Sequence, residues 1–158
     1  MNLLHLVSAS VPHMGVEHES ALGIAGALRD RGHRVVLGCI APATDPRLAA
    51  FHARALAAGF KEFVPLRFRH RVHPIDDLAD LRAIRRAVRA YGIDVVHAHR
   101  GKDHTLAVLA LAGARVPLVR TKHQLHPFAE HPLTRWKNGR RTDALVVPTE
   151  GLRRALIE

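Results

Sequence analysis

The sequence predicts an α/β fold, a doubly wound parallel sheet in a single domain. Three observations carry it. Short β-rich apolar runs alternate with amphipathic helical runs along the whole chain, and no Asn-Gly hairpin signal joins any two of them. That alternation favours parallel strands linked by right-handed helical crossovers. The length, 158 residues, fits one domain and suffices to bury a core.

NLLHLVSA (Asn2 to Ala9) reads as the first strand and runs into a Pro/Gly loop. In EHESALGIAGALRDRGH, Ala21, Leu22, Ala25 and Leu28 share one helical face, and Gly32 is placed to end the helix. RVVLGCI is the second strand. Asp45 is placed to cap the next helix, PRLAAFHARALAAG, with Pro46 at its first position. KEFVPLR is a weaker third strand, and Pro65 marks it as an edge because proline cannot donate to a ladder.

HPIDDLADLRAIRRAVRAYG is a helix whose apolar stripe is Leu78, Leu81, Ile84, Val88 and Tyr91. Asp76, Asp77 and Asp80 lie near its positive N-terminal end, and Arg85, Arg86 and Arg89 near its negative end, which suits a solvated face. The pattern continues with strand DVVHAH, helix HTLAVLALAGA, strand PLVRTKH and a Pro-rich loop. A short helix around Arg135 to Arg141, strand ALVVPT and a helix from Glu150 complete it. EGLRRALIE stops inside a helical pattern, so further chain is expected beyond it.

Composition narrows the function. The net charge of +10, from 24 Lys+Arg against 14 Asp+Glu, favours polyanionic partners: nucleic acid, an anionic lipid surface or phosphorylated small molecules. Only seven aromatic residues are present, without basic-aromatic interleaving, which argues against single-stranded nucleic acid. The longest apolar run, Leu106 to Ala114, is too short to span a bilayer. The N-terminal residues lack a signal-peptide pattern, and the single Cys39 excludes an internal disulfide; both suit a reducing cytoplasm. Cys39 lies in an apolar run and reads as a buried structural thiol.

Parallel sheets bind ligands beyond the carboxyl ends of their strands. Those ends carry Ser8 to Ser10 opening onto His13 and Gly15; His97 and His99 followed by Arg100 and Lys102; Arg120, Thr121, Lys122 and His123; and Thr149 with Glu150. Histidines and cations therefore converge on one edge, where a phosphorylated or hydroxyl-rich ligand could sit. His97 and His99 are two apart on a strand and share a face. As metal ligands they would need His104 or His123 in addition. No HExxH, CxxC or carboxylate-rich companion is present, and no metal is expected. His97 also fits a hydrogen-bonded, half-buried strand histidine; His99, nearer the strand end, is the better functional candidate. After the first strand there is no GxGxxG, so dinucleotide binding is disfavoured. Gly15 precedes a helix whose amides could face an anion, and Glu17 in that first turn suits the helix dipole.

Five segments in order resemble the N-terminal half of GT-B-fold glycosyltransferases of family 4. They are MGVE (Met14 to Glu17), RGHRV (Arg31 to Val35), DVVHAH (Asp94 to His99), RTKH (Arg120 to His123) and VVPTEGLRRAL (Val146 to Leu156). The region from RTKH to VVPTE is most similar to members that build lipopolysaccharide or other cell-envelope glycans. The resemblance covers essentially the whole chain and implies a Rossmann-like three-layer α/β/α domain over 1–158. This domain would bind the acceptor, with a C-terminal donor-binding domain outside the chain.

The resemblance also implies a chemistry. The co-substrate is a nucleotide-diphosphate-sugar, with no covalently bound cofactor, no metal and retention at the sugar carbon. The acceptor is a glycan, lipid-linked or phosphorylated. The enzyme is cytoplasmic, with peripheral contact at the anionic inner face of the membrane. By the same resemblance, Gly15 and Met14 belong to the donor-phosphate loop, and Met14 stands where the family has its first glycine. His99, and secondarily His97, are the catalytic candidates. His13, Arg100, Arg120, Lys122 and His123 are the acceptor-binding candidates. The competing reading is a non-catalytic α/β module that binds phosphosugars or a partner protein.

Overall fold

A computed structural model describes residues 1–8, 16–41, 49–69, 71–123, 128 and 131–157. Its elements are β1 (Asn2–Val7), α1 (Val16–Asp30), β2 (Arg34–Ile40), α2 (Ala49–Ala57), β3 (Phe63–Leu66) and α3 (Pro74–Ala90), then β4 (Val95–Ala98), α4 (Gly101–Ala110), β5 (Leu118–Thr121), α5 (Pro132–Arg140), β6 (Ala144–Val146) and α6 (Glu150–Ile157). The six strands form one sheet in the order β3-β2-β1-β4-β5-β6. Every pairing is parallel. The predicted doubly wound α/β sheet is the observed fold.

Strand periodicity builds two cores. On β1, Leu4 and Leu6 point to one side, where they join Val36, Ile84, Val96, Leu106 and Leu118. Leu3 and Val7 point to the other side and meet Val35, Leu37, Ala21, Ala25, Phe51 and Phe60. Helices α3 and α4 cover the first face, α1 and α2 the second, giving three layers. Each fully buried Leu or Phe contributes roughly 1.5–3 kcal/mol relative to an exposed one. At Gly38 in β2 a Cβ would sit 2.6 Å from Leu6 Cδ2 and 3.1 Å from Leu66 Cδ1, so a larger residue there would have to displace the ends of these two core side chains.

The helix ends follow local chemistry. Gly32 adopts φ +84, and the amides of Gly32 and His33 return to the carbonyls of Arg29 and Leu28 to close α1. His73 caps α3 by accepting from the Asp76 amide at 3.3 Å, with Pro74 in the first turn. Pro65 lies on the edge strand β3, as its missing donor requires.

Three expectations are adjusted. β1 ends at Val7 rather than Ala9, and 9–15 lie outside the described residues, as do Asp45 and Pro46. Helix α4 begins at Gly101, three residues ahead of His104, because Asp103 caps it. Leu78, assigned to the apolar stripe of α3, is 46% exposed on the outer side of that helix.

Candidate functional site

The strand order reverses between β1 and β4, so connections leave these two neighbours in opposite directions and open a crevice beyond their carboxyl ends. Register places His5 directly opposite His97. Both project to the α1 side, with His99 two residues further on. Asp103 holds the crevice together from beneath. Its Oδ2 accepts from the Ser8 amide at 3.4 Å and the His99 amide at 3.2 Å. Its Oδ1 accepts from the Arg100 amide at 2.8 Å and the His104 amide at 3.2 Å. One fully buried carboxylate thus ties the end of β1 to the end of β4 and caps α4. Burial pushes its pKa up to about 7 against the pull of those N–H donors.

Four imidazoles run from this floor towards the surface. His5 Nδ1 lies 3.3 Å from His99 Nε2, and His99 Nδ1 lies 3.4 Å from His123 Nε2. His97 Nε2 pairs with Thr121 Oγ1 at 2.8 Å. The rings pack on one another, His97 to His99 with centroids 4.3 Å apart and His5 to His97 at 4.7 Å. His5, His97 and His99 are buried, and His123 is half-buried.

The physical consequence is neutrality. Burial, then His97, brings His5 down to about 3, and burial, then His123, brings His97 to about 4. Burial and the surrounding rings hold His99 far below the usual imidazole range. Burial also lowers His123, helped by Arg100 and opposed by Glu17. A stack of imidazolium ions could not occupy this space.

The same histidines can be weighed as metal ligands. His5, His97 and His99 offer nitrogens that all lie within 4.8 Å of one another. Tetrahedral zinc, with Zn–N of about 2.0–2.1 Å, places its nitrogens roughly 3.3 Å apart. Here His97 Nε2 is committed to Thr121, and the carboxylate of Asp103 is turned to backbone amides.

Above the histidines opens a cavity of about 140 Å³, lined by Glu17, His99, Arg100, Arg120, Lys122 and His123 among others. Three cations face one carboxylate, and Arg100 Nη1 lies 3.1 Å from Glu17 Oε2. Arg120 reaches beneath α4, where its Nη1 contacts His104 Nδ1 at 3.3 Å and donates to Asn138. Its Nε has no hydrogen-bond partner among the described residues. Arg120 and Lys122 both lie over the Phe128 ring, at 4.8 and 5.1 Å. Burial lowers the pKa of both. A larger cavity of about 260 Å³ lies at the amino end of β5, lined by Arg115, Arg140, Arg141 and Asp143 among others. It contains no histidine and sits at the wrong end of the strands for the crevice.

The expected residues therefore divide. His97, His99, Arg100, Arg120, Lys122 and His123 are brought together at one edge. His104 faces away on α4, buried, with Nε2 2.8 Å from Thr142 Oγ1. Thr149 and Glu150 start α6: Thr149 Oγ1 accepts from the Leu152 amide at 3.2 Å, and Glu150 pairs with Arg153 and Arg154. His13, Met14 and Gly15 lie outside the described residues. Two site residues escaped the sequence reading. His5 falls opposite His97 only through the register of the β1–β4 pair, which no local sequence pattern encodes. Asp103, at the third helical position, carried no capping-box signature, because Arg100 stands where a serine or threonine would; its carboxylate nonetheless accepts from the Arg100 amide.

The model of one protein family, Glycosyltransferase Family 4, matches residues 18–158. The chain belongs to Glycosyltransferase Family 4. Solved structures show the same fold for this family 4 domain. Anabaena HepE in complex with UDP-glucose superposes with a TM-score of 0.72 at 20% identity, covering 99% of this chain and 40% of that one. A glycosyltransferase from Rickettsia africae gives 0.70 at 16% identity over 99% of this chain and 39% of that one. MurG from Acinetobacter baumannii gives 0.65 at 13% identity over 95% and 42%. The family 4 domain thus spans about two fifths of the length of these structures and has their GT-B Rossmann-like architecture. No curated protein matches it in sequence.

Proposed function

We propose that this chain is the acceptor-binding N-terminal domain of a glycosyltransferase that moves a sugar from a nucleotide-diphosphate-sugar to a phosphorylated or lipid-linked glycan. The observation that carries the reading is the cation-lined cavity above a neutral histidine chain, at the switch point of a family 4 domain. A cavity of about 140 Å³ is below the roughly 300–1,000 Å³ of complete ligand sites, so it forms one wall of a cleft. A C-terminal donor-binding domain supplies the other wall.

In this reading Arg100, Arg120 and Lys122 hold the acceptor's phosphate through charge-assisted hydrogen bonds. His123 faces the sugar, while His99 and His97 position it from below. The loop of His13, Met14 and Gly15 meets the donor, where a glycine lets the backbone approach the pyrophosphate. The acceptor hydroxyl oxygen then bonds to the sugar carbon as the bond to the diphosphate breaks, and the hydroxyl proton passes to the departing diphosphate oxygen. Cations and amides stabilise the leaving charge. Transfer proceeds with retention and without a metal. The enzyme works at the cytoplasmic face of an anionic membrane, building cell-envelope glycans.

Calorimetric titration with sugar phosphates and their neutral parent sugars tests the assignment. The phosphorylated ligand should bind at least tenfold more tightly, and Lys122→Ala should remove most of that preference, since hydrogen bonds to charged groups contribute about 1.5–3 kcal/mol. Equal affinity for both ligands would refute the acceptor assignment. The 158-residue chain alone should transfer no sugar. Turnover by it alone would refute the half-site.

A further inference from the structure

Helix α3 presents an outward face that the core does not use. Ile75, Leu78, Arg82, Arg86 and Arg89 recur at steps of three or four, which at 100° per residue places them in one narrow stripe. All five are exposed, whereas Asp76, Asp80, Ile84 and Ala87 turn inward. The stripe changes character along its length. Its first turns carry Ile75, 74% exposed, and Leu78, with Val72, 83% exposed, just ahead of the helix. Arginines occupy the remainder.

The charge around the stripe is one-sided. Between Arg67 and Arg89 there are seven arginines and three aspartates. None of the three aspartates is exposed. Asp76 is buried against Arg67 and Arg69, Asp80 is buried against the amides of Arg67 and Phe68, and Asp77 pairs with Lys102. The stripe itself therefore offers aliphatic groups and cations, with no acid among them. A protein groove would have to set an acidic rim beside an apolar floor to reward both ends. An anionic bilayer rewards both, the aliphatic groups at the acyl boundary and the arginines at the phosphates.

Position adds a second argument. Lys102 joins the start of α3 to the first turn of α4 through Asp77 Oδ1 at 2.5 Å and the Arg71 carbonyl at 3.4 Å. Its neighbour Gly101 lines the cation-rich cavity. The aliphatic end of the stripe thus lies beside the cavity mouth, on the same edge of the sheet.

We propose that the outer face of α3 is the surface that rests on an anionic phospholipid bilayer, with Val72, Ile75 and Leu78 entering the acyl boundary and Arg82, Arg86 and Arg89 meeting the headgroups. The assignment deepens the reading above and rests on its lipid-linked acceptor, because it brings the cavity mouth to the bilayer surface.

Vesicle flotation tests the surface without needing sugar transfer. The chain is mixed with vesicles of phosphatidylglycerol and phosphatidylcholine, or of phosphatidylcholine alone, near physiological salt. Wild type should float with the anionic vesicles only. The double variant Ile75→Ser, Leu78→Ser and the triple variant Arg82→Glu, Arg86→Glu, Arg89→Glu should each lower partitioning about tenfold or more. All five sites are exposed, so circular dichroism should show an unchanged fold. A charge-matched control, Arg115→Glu, Arg140→Glu, Arg141→Glu, at the opposite end of the sheet should bind like wild type. Equal flotation with neutral vesicles, no flotation, unchanged flotation of either α3 variant, or equal loss in the control would overturn the proposal. Tighter binding to random duplex DNA, lost in the same variants, would assign the stripe to nucleic acid and also overturn it. Flotation without sugar-phosphate binding would leave this surface standing and remove the acceptor reading.

Discussion

His99 has partners on both ring nitrogens, and the direction of those bonds follows from one buried atom. His5 Nε2 is fully enclosed and has no hydrogen-bond partner among the described residues. A bare imidazole lone pair there costs less than an orphaned N–H, so the proton of His5 belongs on Nδ1. His5 Nδ1–H then donates to His99 Nε2, which puts the His99 proton on Nδ1, donating to His123 Nε2. His123 must carry its own proton on Nδ1. In the proposed site this order of protons delivers one N–H donor at the cavity wall, with His99 as a positioning residue behind it. His123→Ala should weaken sugar-phosphate binding about tenfold, one hydrogen bond, and cost about 1–2 kcal/mol of stability, because it leaves the His99 Nδ1–H without its acceptor. His99→Ala should weaken it similarly and also cost about 2–4 kcal/mol of stability, since it orphans the His5 donor and leaves a void. His99→Asn, with one donor and one acceptor, should recover part of the affinity. Calorimetry and thermal melts on the three variants separate these outcomes. An unaltered affinity in His123→Ala would remove the relay.

At the scale of elements, Asp103 decides where α4 begins and how β1 and β4 end. Asp103→Ala would leave the amides of Ser8, His99 and Arg100 without their acceptor in a dry crevice. Each orphaned donor costs about 1–3 kcal/mol, so the variant should lose about 3–5 kcal/mol in urea unfolding. Asp103→Asn keeps one acceptor oxygen and should lose about half as much. A loss below about 1 kcal/mol in the alanine variant would show that the clamp is incidental. This is also where the sequence reading was least able to see. The apolar period of α4 begins at His104, whereas a capping carboxylate one residue earlier extends the helix back to Gly101. Leu78 misled for a related reason. Period alone places it beside Leu81, yet it lies at the margin of the stripe, and only the packing of α3 on α4 settles which margin is covered.

For the whole molecule, the alternation of strand and helix was enough to give the parallel sheet, its edge strand β3 and the strand-end edge where the candidate residues gather, because each element buries a face that matches its own period; the strand order and its reversal between β1 and β4 were not legible. The site was legible wherever chemistry sits at a strand end: His97, His99, Arg100, Lys122 and His123 follow from topology. His5 was not, since its role depends on a pairing between strands far apart in sequence, and no local pattern encodes register. The buried imidazoles nonetheless govern how the entire fold responds to acid. His5 and His104 are brought down to about 3 and His97 to about 4 in the fold, against about 6.5 when unfolded. Below pH 6.5 the unfolded chain takes up protons that the fold refuses, so stability is lost as pH falls towards 4. Asp103 works in the opposite sense: held near 7 in the fold, it binds a proton before the unfolded chain does. One unit below 6.5 each histidine costs about 1.4 kcal/mol, and Asp103 offsets roughly one of the three, which leaves a net loss of about 2–3 kcal/mol by about pH 5.5. Against a total of about 5–15 kcal/mol, this leaves the fold standing at about pH 5.5 and places acid unfolding at about pH 4.5 or below. Urea unfolding from about pH 7.5 to about 4.5 should show the decline. His104→Gln, which keeps a polar partner for Thr142 while removing one titrating ring, should make it shallower. A flat profile across that window would mean that the imidazoles are not held neutral, and the hydrogen-bonded chain beneath the cavity would fall with it.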